Sequence, residues 1–425
     1  MKKYLSFLVM ATCVLSTSAE VFAQATIPPG TQSPIQQPRR GGGFGISIDL
    51  GSLVRAISGV EIPKYESPDT SNQPPYEPRQ VILAWEPANE ALASAAIQTS
   101  GGSTIALSNL PSIGLNIAVL EFVSQQQADA LRASLQRNQA IISSQHALAY
   151  PMQTSAAPSN ARQFAHEMIK APPNPQRLPS GISVGIIDTE ISNQAALASV
   201  NFKAKRFIAD NEKASSNDHG SAVAAVIAGT GLGFEGIAQG VSLRSAGVMR
   251  EIAPGLNATN TLLVAQALDW MVAEKVQIIN LSLGSADDQV LAEVVRRTLT
   301  AGAILVAAAG NGGPQAAPSF PAAYPGVISV TAVDARRSTY ARANRGTYIA
   351  IAAPGVDVWI PTSADSGKGK YMSGTSFAAP FVTAALARAS TQNTLSRANA
   401  LRTLCSRAAP LDLPASETGC GLLQY

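Results

Sequence analysis

The sequence predicts an α/β protein in which helices cover both faces of a mostly parallel sheet, with a small α+β domain before it. Two observations lead to this prediction. In residues 181–425, short and nearly uninterrupted apolar runs alternate with helix-like stretches, as is typical of strands buried on both faces of a parallel sheet. Residues 79–152 show a different order of strand-like and helix-like segments, so we expect a separate unit there.

The composition suits a large buried core and argues against several kinds of partner. The 425 residues are 46% hydrophobic and only 14% charged, and 31 Lys and Arg stand against 28 Asp and Glu, a formal net charge of +3. So small an excess predicts no nucleic-acid partner. The three Cys and three His form no zinc-type pattern, so we expect no metal and no cofactor. We also expect a monomer.

The N-terminal segment, residues 1–23, has the pattern of an export signal. Two lysines follow the first Met, a short apolar run extends to Leu15, and Val21 and Ala23 stand at the spacing that signal cleavage needs. We expect cleavage after Ala23 and a secreted or periplasmic protein without a stable membrane anchor. A retained anchor is the alternative, although the apolar run is short for a bilayer span.

Three further segments precede the parallel sheet. Residues 24–78 are rich in Pro, Gly, Ser and Gln and predict a mostly flexible leader, because such a segment buries too little apolar surface to offset its ordering entropy. Residues 79–152 follow the order strand, helix, two strands, helix, strand, which is the ferredoxin-like pattern. Residues 153–180 are dense in Pro, Ala and Ser and predict a linker.

One later segment combines small residues with the start of an Ala-rich helical stretch. It reads Gly374-Thr375-Ser376-Phe377-Ala378-Ala379-Pro380. Ser376 would lie in the first helical turn, where free N–H groups and the positive end of the helix dipole favour a developing negative charge. Pro380 is tolerable only near a helix start. Taken alone, the segment also fits an ordinary capped helix start.

This segment closely resembles the nucleophile signature of the subtilisin-like serine peptidases, the subtilases. The family's other signatures follow in its own order, with acid before histidine before serine. They stand at Val184–Ile191, Asp218–Ala224, Asn280–Gly284, Ala307–Asn311 and Ala353–Gly355. The resemblance covers roughly residues 169–423 and implies a subtilisin-like three-layer domain. The small unit before it is similar to the propeptides of this family, which assist folding and block the cleft; an unrelated binding module is the alternative.

The resemblance implies a catalytic triad. Ser376 would attack the scissile carbonyl, His219 would accept the serine proton and return it to the leaving amine, and Asp188 would orient the imidazole and stabilise its charged form. Each residue also has a structural interpretation on its own. An Asp after a strand is often a turn residue, and an isolated His is more often structural. His146 and His166 are interpreted in that way.

The resemblance also implies how the substrate and the developing oxyanion are held. The Asn311 side chain and the Ser376 backbone N–H would bind the oxyanion. A polypeptide substrate would pair as an added strand. The substrate-binding residues implied in this way are Ser282, Leu283, Gly284 and Gly310.

The chain departs from the family pattern in three places. Glu190 stands where the family usually has Gly, so either the local turn differs or the carboxylate faces the cleft and favours basic substrates. Ser221 replaces the usual Thr, a mild change. The short segment Gly229–Gly240 lacks the Asn- and Asp-rich ligand set of a tight calcium site, which supports the expectation of no required metal.

Removal of the signal would leave two cysteines, Cys405 and Cys420. In an oxidising compartment we favour a disulfide between them, with two buried free thiols as the alternative.

Two functions from different classes are consistent with the sequence. The first is an exported serine endopeptidase that is made as a self-processing zymogen, with its own propeptide bound in cis and the activation cleavage early in residues 153–180. The second is a catalytically silent subtilisin-like fold used for binding or chaperoning. An intact set of Asp188, His219, Asn311 and Ser376 favours the first.

Overall fold

The computed structural model describes residues 76–150, 164–172, 174–192, 195–230, 234–361, 369–392 and 395–425. The predicted signal peptide and all but the last three residues of the predicted leader lie outside these ranges, as does the first part of the predicted linker.

The first domain is a four-stranded antiparallel sheet with two helices. Its elements are β1 (Tyr76–Trp85), α1 (Glu90–Thr99), β2 (Ser103–Leu110), β3 (Leu115–Glu121), α2 (Gln125–Leu135) and β4 (Ile141–Tyr150). The strand order is β2-β3-β1-β4, which is the predicted ferredoxin-like arrangement. Helix α2 begins where the Ser124 side chain accepts a hydrogen bond from the Gln127 N–H, and its residues at helical spacing, such as Leu131 and Leu135, are buried.

The two faces of this sheet pack against different parts of the chain. Along β1, Val81 and Leu83 join a core with Leu131 of helix α2. The alternate residues Ile82 and Ala84 belong instead to a core shared with the second domain. This follows from the period of two along a strand, which sends successive side chains to opposite faces.

The second domain is built on a seven-stranded, fully parallel sheet. Its strands are β5 (Ser183–Asp188), β6 (Asn201–Arg206), β7 (Ser242–Gly247), β10 (Ile278–Leu281), β12 (Ile304–Ala308), β13 (Ile328–Val333) and β14 (Ile351–Pro354). They are ordered β14-β13-β12-β10-β5-β7-β6. The shorter strands are β8 (Arg250–Ala253), β9 (Leu256–Asn260), β11 (Gly284–Ser285), β15 (Val358–Pro361) and β16 (Gly369–Met372).

Helices cover both faces of the parallel sheet. The helices after the first domain are α3 (Phe164–Met168), α4 (Asp218–Ala228), α5 (Thr261–Ala273), α6 (Gln289–Thr300), α7 (Thr375–Ala389), α8 (Ala400–Cys405) and α9 (Ala415–Thr418). On one face Val184 and Ile186 pack with α4 and α7. On the other, Ile187 and Leu281 pack with α5 and α6. The predicted three-layer architecture is confirmed.

The last strand of the first domain continues into the second. Leu148 and Ala149 of β4 pair with β9, and Ala149 and Tyr150 pair with β11. One antiparallel set of hydrogen-bonded strands therefore runs through both domains.

The C-terminal part of the second domain carries a disulfide between Cys405 and Cys420, as predicted. Within the described ranges, none of the helices is both long and apolar enough to cross a membrane. The same ranges contain no group of three or more His, Cys, Asp and Glu side chains placed to hold a metal ion.

Candidate active site

The predicted site residues come from four places along the chain and meet at one edge of the parallel sheet. Asp188 is the last residue of β5, and His219 is the second residue of α4. Asn311 follows β12 closely, and Ser376 is the second residue of α7. The carboxyl ends of parallel strands and the helix starts beside them are where α/β proteins usually place their sites.

Asp188 and His219 form a direct, buried pair. The Nδ1 atom of His219 lies 2.8 Å from Oδ1 and 3.0 Å from Oδ2 of Asp188, and the Asp188 side chain is fully buried. A carboxylate can only accept, so Nδ1 carries the proton and Nε2 is the free acceptor end of the ring. The Thr189 N–H also donates to Asp188 Oδ1 at 2.6 Å, which fixes the carboxylate.

The start of α4 is held tightly against the end of β5. The Gly220 N–H donates to the Thr189 hydroxyl at 2.8 Å, and a Cβ at position 220 would lie 2.5 Å from the Thr189 carbonyl oxygen. Only glycine therefore allows His219 this close approach to Asp188. On its other side the His219 ring packs against Phe377, with ring centroids 5.1 Å apart.

Glu190 stands where the family usually has Gly, and its backbone does not have a positive φ angle. Its carboxylate lies 3.8 Å from the Arg206 guanidinium, and its Cγ occupies the space beside Gly247, where a Cβ would come within 2.6 Å. The side chain thus lies against β6 and β7, and it does not line the cavity beside Ser376.

Ser376 is buried, with 5% of its surface exposed, and its hydroxyl donates to the Ser282 carbonyl oxygen at 3.3 Å. The Nε2 atom of His219 is buried and has no hydrogen-bond partner among the described residues. The bond from Ser376 to His219 is therefore not formed here. Such bonds often close only when a substrate is bound.

The Asn311 side chain is oriented by the residue before Ser376. Its Oδ1 accepts from both the backbone N–H and the hydroxyl of Thr375, each at 3.0 Å. Because the oxygen end is held in this way, the Nδ2 end is the one free to donate elsewhere. The same Thr375 hydroxyl accepts from the Gly310 N–H at 3.1 Å.

A cavity of about 310 Å³ lies beside Ser376 and Asn311. Its lining includes all four residues expected to bind substrate, which are Ser282, Leu283, Gly284 and Gly310. No charged side chain is among the described residues that line it. Gly310 has a φ of 108°, and a Cβ there would lie 2.7 Å from Asn344 Nδ2, so this position requires glycine.

Sequence reasoning missed Asn344 and the segment 316–319, which form another part of the cavity wall. Asn344 ties the wall together, because its Nδ2 donates to the Ala317 carbonyl at 2.9 Å and its Oδ1 accepts from the Gly312 N–H at 2.8 Å. Neither lies in a recognisable motif. A lone Asn between two loops gives no signal in a single sequence.

The last strand of the first domain, β4, pairs with the short strand β11 next to this cavity. Tyr150 lies opposite Gly284, and Ala149 lies opposite Ser285, in an antiparallel pair. The expected position for an added substrate strand was Ser282–Gly284, and the residues that pair in the structure are Gly284 and Ser285.

Comparison with known sequences supports the same family. The family model described as "Subtilase family" matches residues 179–421. The thermostable alkaline protease of Halalkalibacterium halodurans is 35% identical over 208 residues, which cover 48% of this chain and 55% of that protein. Subtilisin DY of Bacillus licheniformis is 30% identical over 214 residues, or 49% of this chain and 76% of that protein.

Comparison with solved structures gives the same fold. Fervidolysin from Fervidobacterium pennivorans matches with a TM-score of 0.67 at 19% identity, over 84% of this chain and 61% of that one. The epidermin leader peptide processing serine protease of Staphylococcus aureus matches with a TM-score of 0.63 at 20% identity, over 81% of this chain and 98% of that one. Both spans exceed the segment matched by the family model, so the similarity of fold includes part of the chain upstream of it. With more than half of its residues matched by the family model, the chain belongs to the subtilase family of subtilisin-like serine endopeptidases.

Proposed function

We propose that this protein is an exported serine endopeptidase, made as a self-processing zymogen, with Asp188, His219 and Ser376 as its catalytic triad. The observation that carries the proposal is the buried Asp188–His219 pair, whose free Nε2 acceptor lies in the same site as a serine at a helix start. A carboxylate, an imidazole and a hydroxyl, the three groups that a serine peptidase requires, meet there although they are distant in sequence.

The proposed reaction proceeds through an acyl-enzyme. The Ser376 hydroxyl oxygen bonds to the scissile carbonyl carbon while its proton passes to His219 Nε2. Collapse of the tetrahedral intermediate breaks the C–N bond, and the departing amine takes that proton. Water then attacks the acyl group with His219 as the base, which releases the new carboxyl end and restores Ser376. Asp188 holds the imidazole in the required tautomer and balances its positive charge.

The oxyanion of each tetrahedral intermediate would be bound by Asn311 Nδ2 and the Ser376 N–H. Two contacts support this role for Asn311. Thr375 binds the opposite end of its amide, and the side chain lines the cavity together with Ser376. The Ser376 N–H belongs to the first helical turn, where N–H groups have no partner within the helix.

The cavity favours an uncharged substrate side chain, since the described residues that line it carry no charge and are mostly small. The backbone of Gly284 and Ser285 already pairs with an extended strand of this same chain. A polypeptide substrate would replace that strand by the same main-chain hydrogen bonds.

The first domain would act as a propeptide bound in cis. Its strand β4 ends at Tyr150 beside the cavity, and the expected activation cleavage falls in residues 153–180. After cleavage the domain would remain as an inhibitor until it is released. The predicted export signal completes this proposal, because an exported protease requires an inactive form during transit.

An active-site fluorophosphonate tests the proposed function. After activation the wild-type protein should be labelled and the Ser376→Ala variant should not. Ser199→Ala, which changes an exposed serine bonded to Thr230, is the matched control and should be labelled normally. A wild-type protein that stays unlabelled after removal of the first domain would instead support the silent binding fold.

A further inference from the structure

The helix that carries Ser376 contains a proline one turn later. Helix α7 extends from Thr375 to Ala389 and includes Pro380. In an α-helix the carbonyl of residue i accepts from the N–H of residue i+4. The donor for the Ser376 carbonyl would be residue 380, and proline has no N–H. The carbonyl of the proposed nucleophile therefore lacks its helical donor, although the residue is buried.

A side chain from the neighbouring strand segment supplies the missing donor. The Ser282 hydroxyl donates to the Ser376 carbonyl oxygen at 2.8 Å, and Ser282 is fully buried. A buried carbonyl without a partner is costly, so this bond replaces one that the sequence has removed. Ser282 also contacts the Ser376 side chain, because the Ser282 carbonyl oxygen accepts from the Ser376 hydroxyl at 3.3 Å.

The Ser282 hydroxyl is itself oriented by two further buried side chains. Asn280 Nδ2 donates to Ser282 Oγ at 2.8 Å, and Asn280 Oδ1 accepts from the Thr383 hydroxyl at 2.9 Å. Because Ser282 Oγ receives a bond from Asn280, its proton is left for the Ser376 carbonyl. Thr383 lies on α7 as well, so the chain of bonds leaves this helix, crosses β10 and returns to it.

From these contacts we infer that Ser282, oriented by Asn280 and Thr383, is a positioning residue that replaces the helical donor missing at Pro380 and thereby sets the position of Ser376. The inference rests on the proposed function, since position matters here only if Ser376 reacts. This bond anchors the start of α7 to the segment after β10, so its loss would let the helix start shift, and with it the Ser376 hydroxyl and N–H. Displacements of this kind are costly for catalysis.

A double-mutant cycle tests this role. Ser282→Ala removes the side-chain donor, and Pro380→Ala returns a backbone N–H in the same place with a residue that favours helix. In the wild-type background, Ser282→Ala should lower kcat about tenfold with little change in KM, the effect of leaving one buried acceptor unpaired. In the Pro380→Ala background the same change should cost less than about threefold, because the helix now supplies the donor.

Two results would overturn the inference. One is an equal loss from Ser282→Ala in both backgrounds, which would show no coupling between Ser282 and Pro380. The other is a rise in KM at unchanged kcat, which would place the Ser282 side chain in substrate binding. Either result leaves fluorophosphonate labelling of the wild type intact, so failure of the inference is distinguishable from failure of the proposed function.

A second variant keeps the test decisive if Ser282→Ala does not fold. Thr383→Val keeps the shape of the side chain and removes only the bond to Asn280. Its loss of kcat should be smaller, about threefold, and should again be reduced in the Pro380→Ala background. A loss that is equal in both backgrounds would contradict the inference here too. Thermal unfolding of each variant separates loss of fold from loss of position.

Discussion

The two domains differ in where the cores that stabilise them lie. The parallel sheet of the second domain is covered on both faces by its own helices, with α4 and α7 on one face and α5 and α6 on the other. The sheet of the first domain is covered by its own helices on one face only, and its other face packs into a core shared with α5 and α6. The first domain therefore depends on the second for the burial of one face of its sheet, which is a property that the proposed propeptide role requires.

Polar contacts between the two domains also show that the first domain depends on the second. The turn between β2 and β3 has its N–H groups at Ser112 and Ile113 bound by Asp269, at 2.7 and 3.1 Å. Arg297 donates to the carbonyls of Ile113 and Gly114 at 3.2 and 3.1 Å. The second domain thus satisfies backbone groups of the first, and separation of the domains would return these groups to water.

The largest expected effect lies wholly within the second domain. Asp188→Asn should lower kcat by about 10⁴-fold while the fold is retained, because an amide would hold the His219 ring in the wrong tautomer. Steady-state kinetics on a peptide substrate measures this loss. A variant within about tenfold of the wild type would show that the buried Asp188–His219 pair is structural.

The next effect concerns the proposed oxyanion donor. Asn311→Leu should lower kcat by about 10²–10³-fold with little change in KM, since the donor acts mainly on the transition state; losses of this size are known from a subtilisin. Values of kcat and KM in the two proteins are the measurement. A change in KM alone would assign Asn311 to ground-state binding.

Two leucines of β3 separate the two faces of the first domain. Leu115 belongs to the shared core and Leu120 to the core beneath the domain's own helices, and both are fully buried. Each change to Ala should destabilise by about 2–5 kcal/mol. In an uncleaved Ser376→Ala background, Leu115→Ala should raise hydrogen exchange in α5 and α6 as well as in β3. Leu120→Ala should raise it in the first domain only. Identical exchange patterns would contradict a core shared across one face.

The smallest expected effect is a pH dependence of the contact between the domains. His146 of β4 is buried, and its Nδ1 lies 2.9 Å from Gln80 Oε1. Burial, together with the charge of Arg250, lowers the pKa of His146 to about 4 from 6.5, and the Asn260 side chain offsets only part of this shift. Arg250 is itself paired with Glu212.

The lowered pKa fixes the direction of this effect. The docked state disfavours protonated His146, so docking is strongest above pH 6.5 and weakens as the pH falls from about 6.5 towards 4. The full loss is no more than about 3 kcal/mol, the value reached when release of the domain exposes His146 completely to water. Size-exclusion chromatography across this pH range measures the fraction of the cleaved first domain that stays bound. In the wild type this fraction should fall as the pH is lowered. The fall should be smaller in His146→Leu or absent from it, and equal slopes in the two proteins would contradict the assignment.

A matched histidine serves as the control for that experiment. Burial lowers the pKa of His166 too, but its ring packs against Phe234 and Phe381 within the second domain. His166→Leu should therefore leave the pH dependence of domain separation unchanged, although it affects acid unfolding of the second domain. This comparison distinguishes release from unfolding.

The sequence predicted the architecture, and it indicated candidate site residues where one short segment holds the whole signal. Apolar runs such as Ser183–Ile187 predicted buried parallel strands, and the structure has a strand there at Ser183–Asp188. Asp188, His219 and Ser376 were identified because each stands in a motif at a strand end or a helix start. Their meeting at one edge follows from parallel strands, and their catalytic roles remain the proposal made above.

What the sequence could not predict depends on contacts between distant segments. The donation from Ser282 to Ser376 joins residues 94 positions apart, and the bond from Asn344 to Ala317 joins two loops. The direction in which the Glu190 side chain turns depends on Arg206 and Gly247. Such pairings are decided by packing in three dimensions, and no local pattern records them.

The central claim is that Ser376 cleaves its own chain between the two domains. The most direct measurement is intact mass and N-terminal sequencing of the purified full chain, incubated as wild type and as Ser376→Ala. We predict that the wild type separates into two fragments, with a new N-terminus within residues 153–180, and that Ser376→Ala stays whole. Cleavage of Ser376→Ala at the same bond and the same rate would contradict the account.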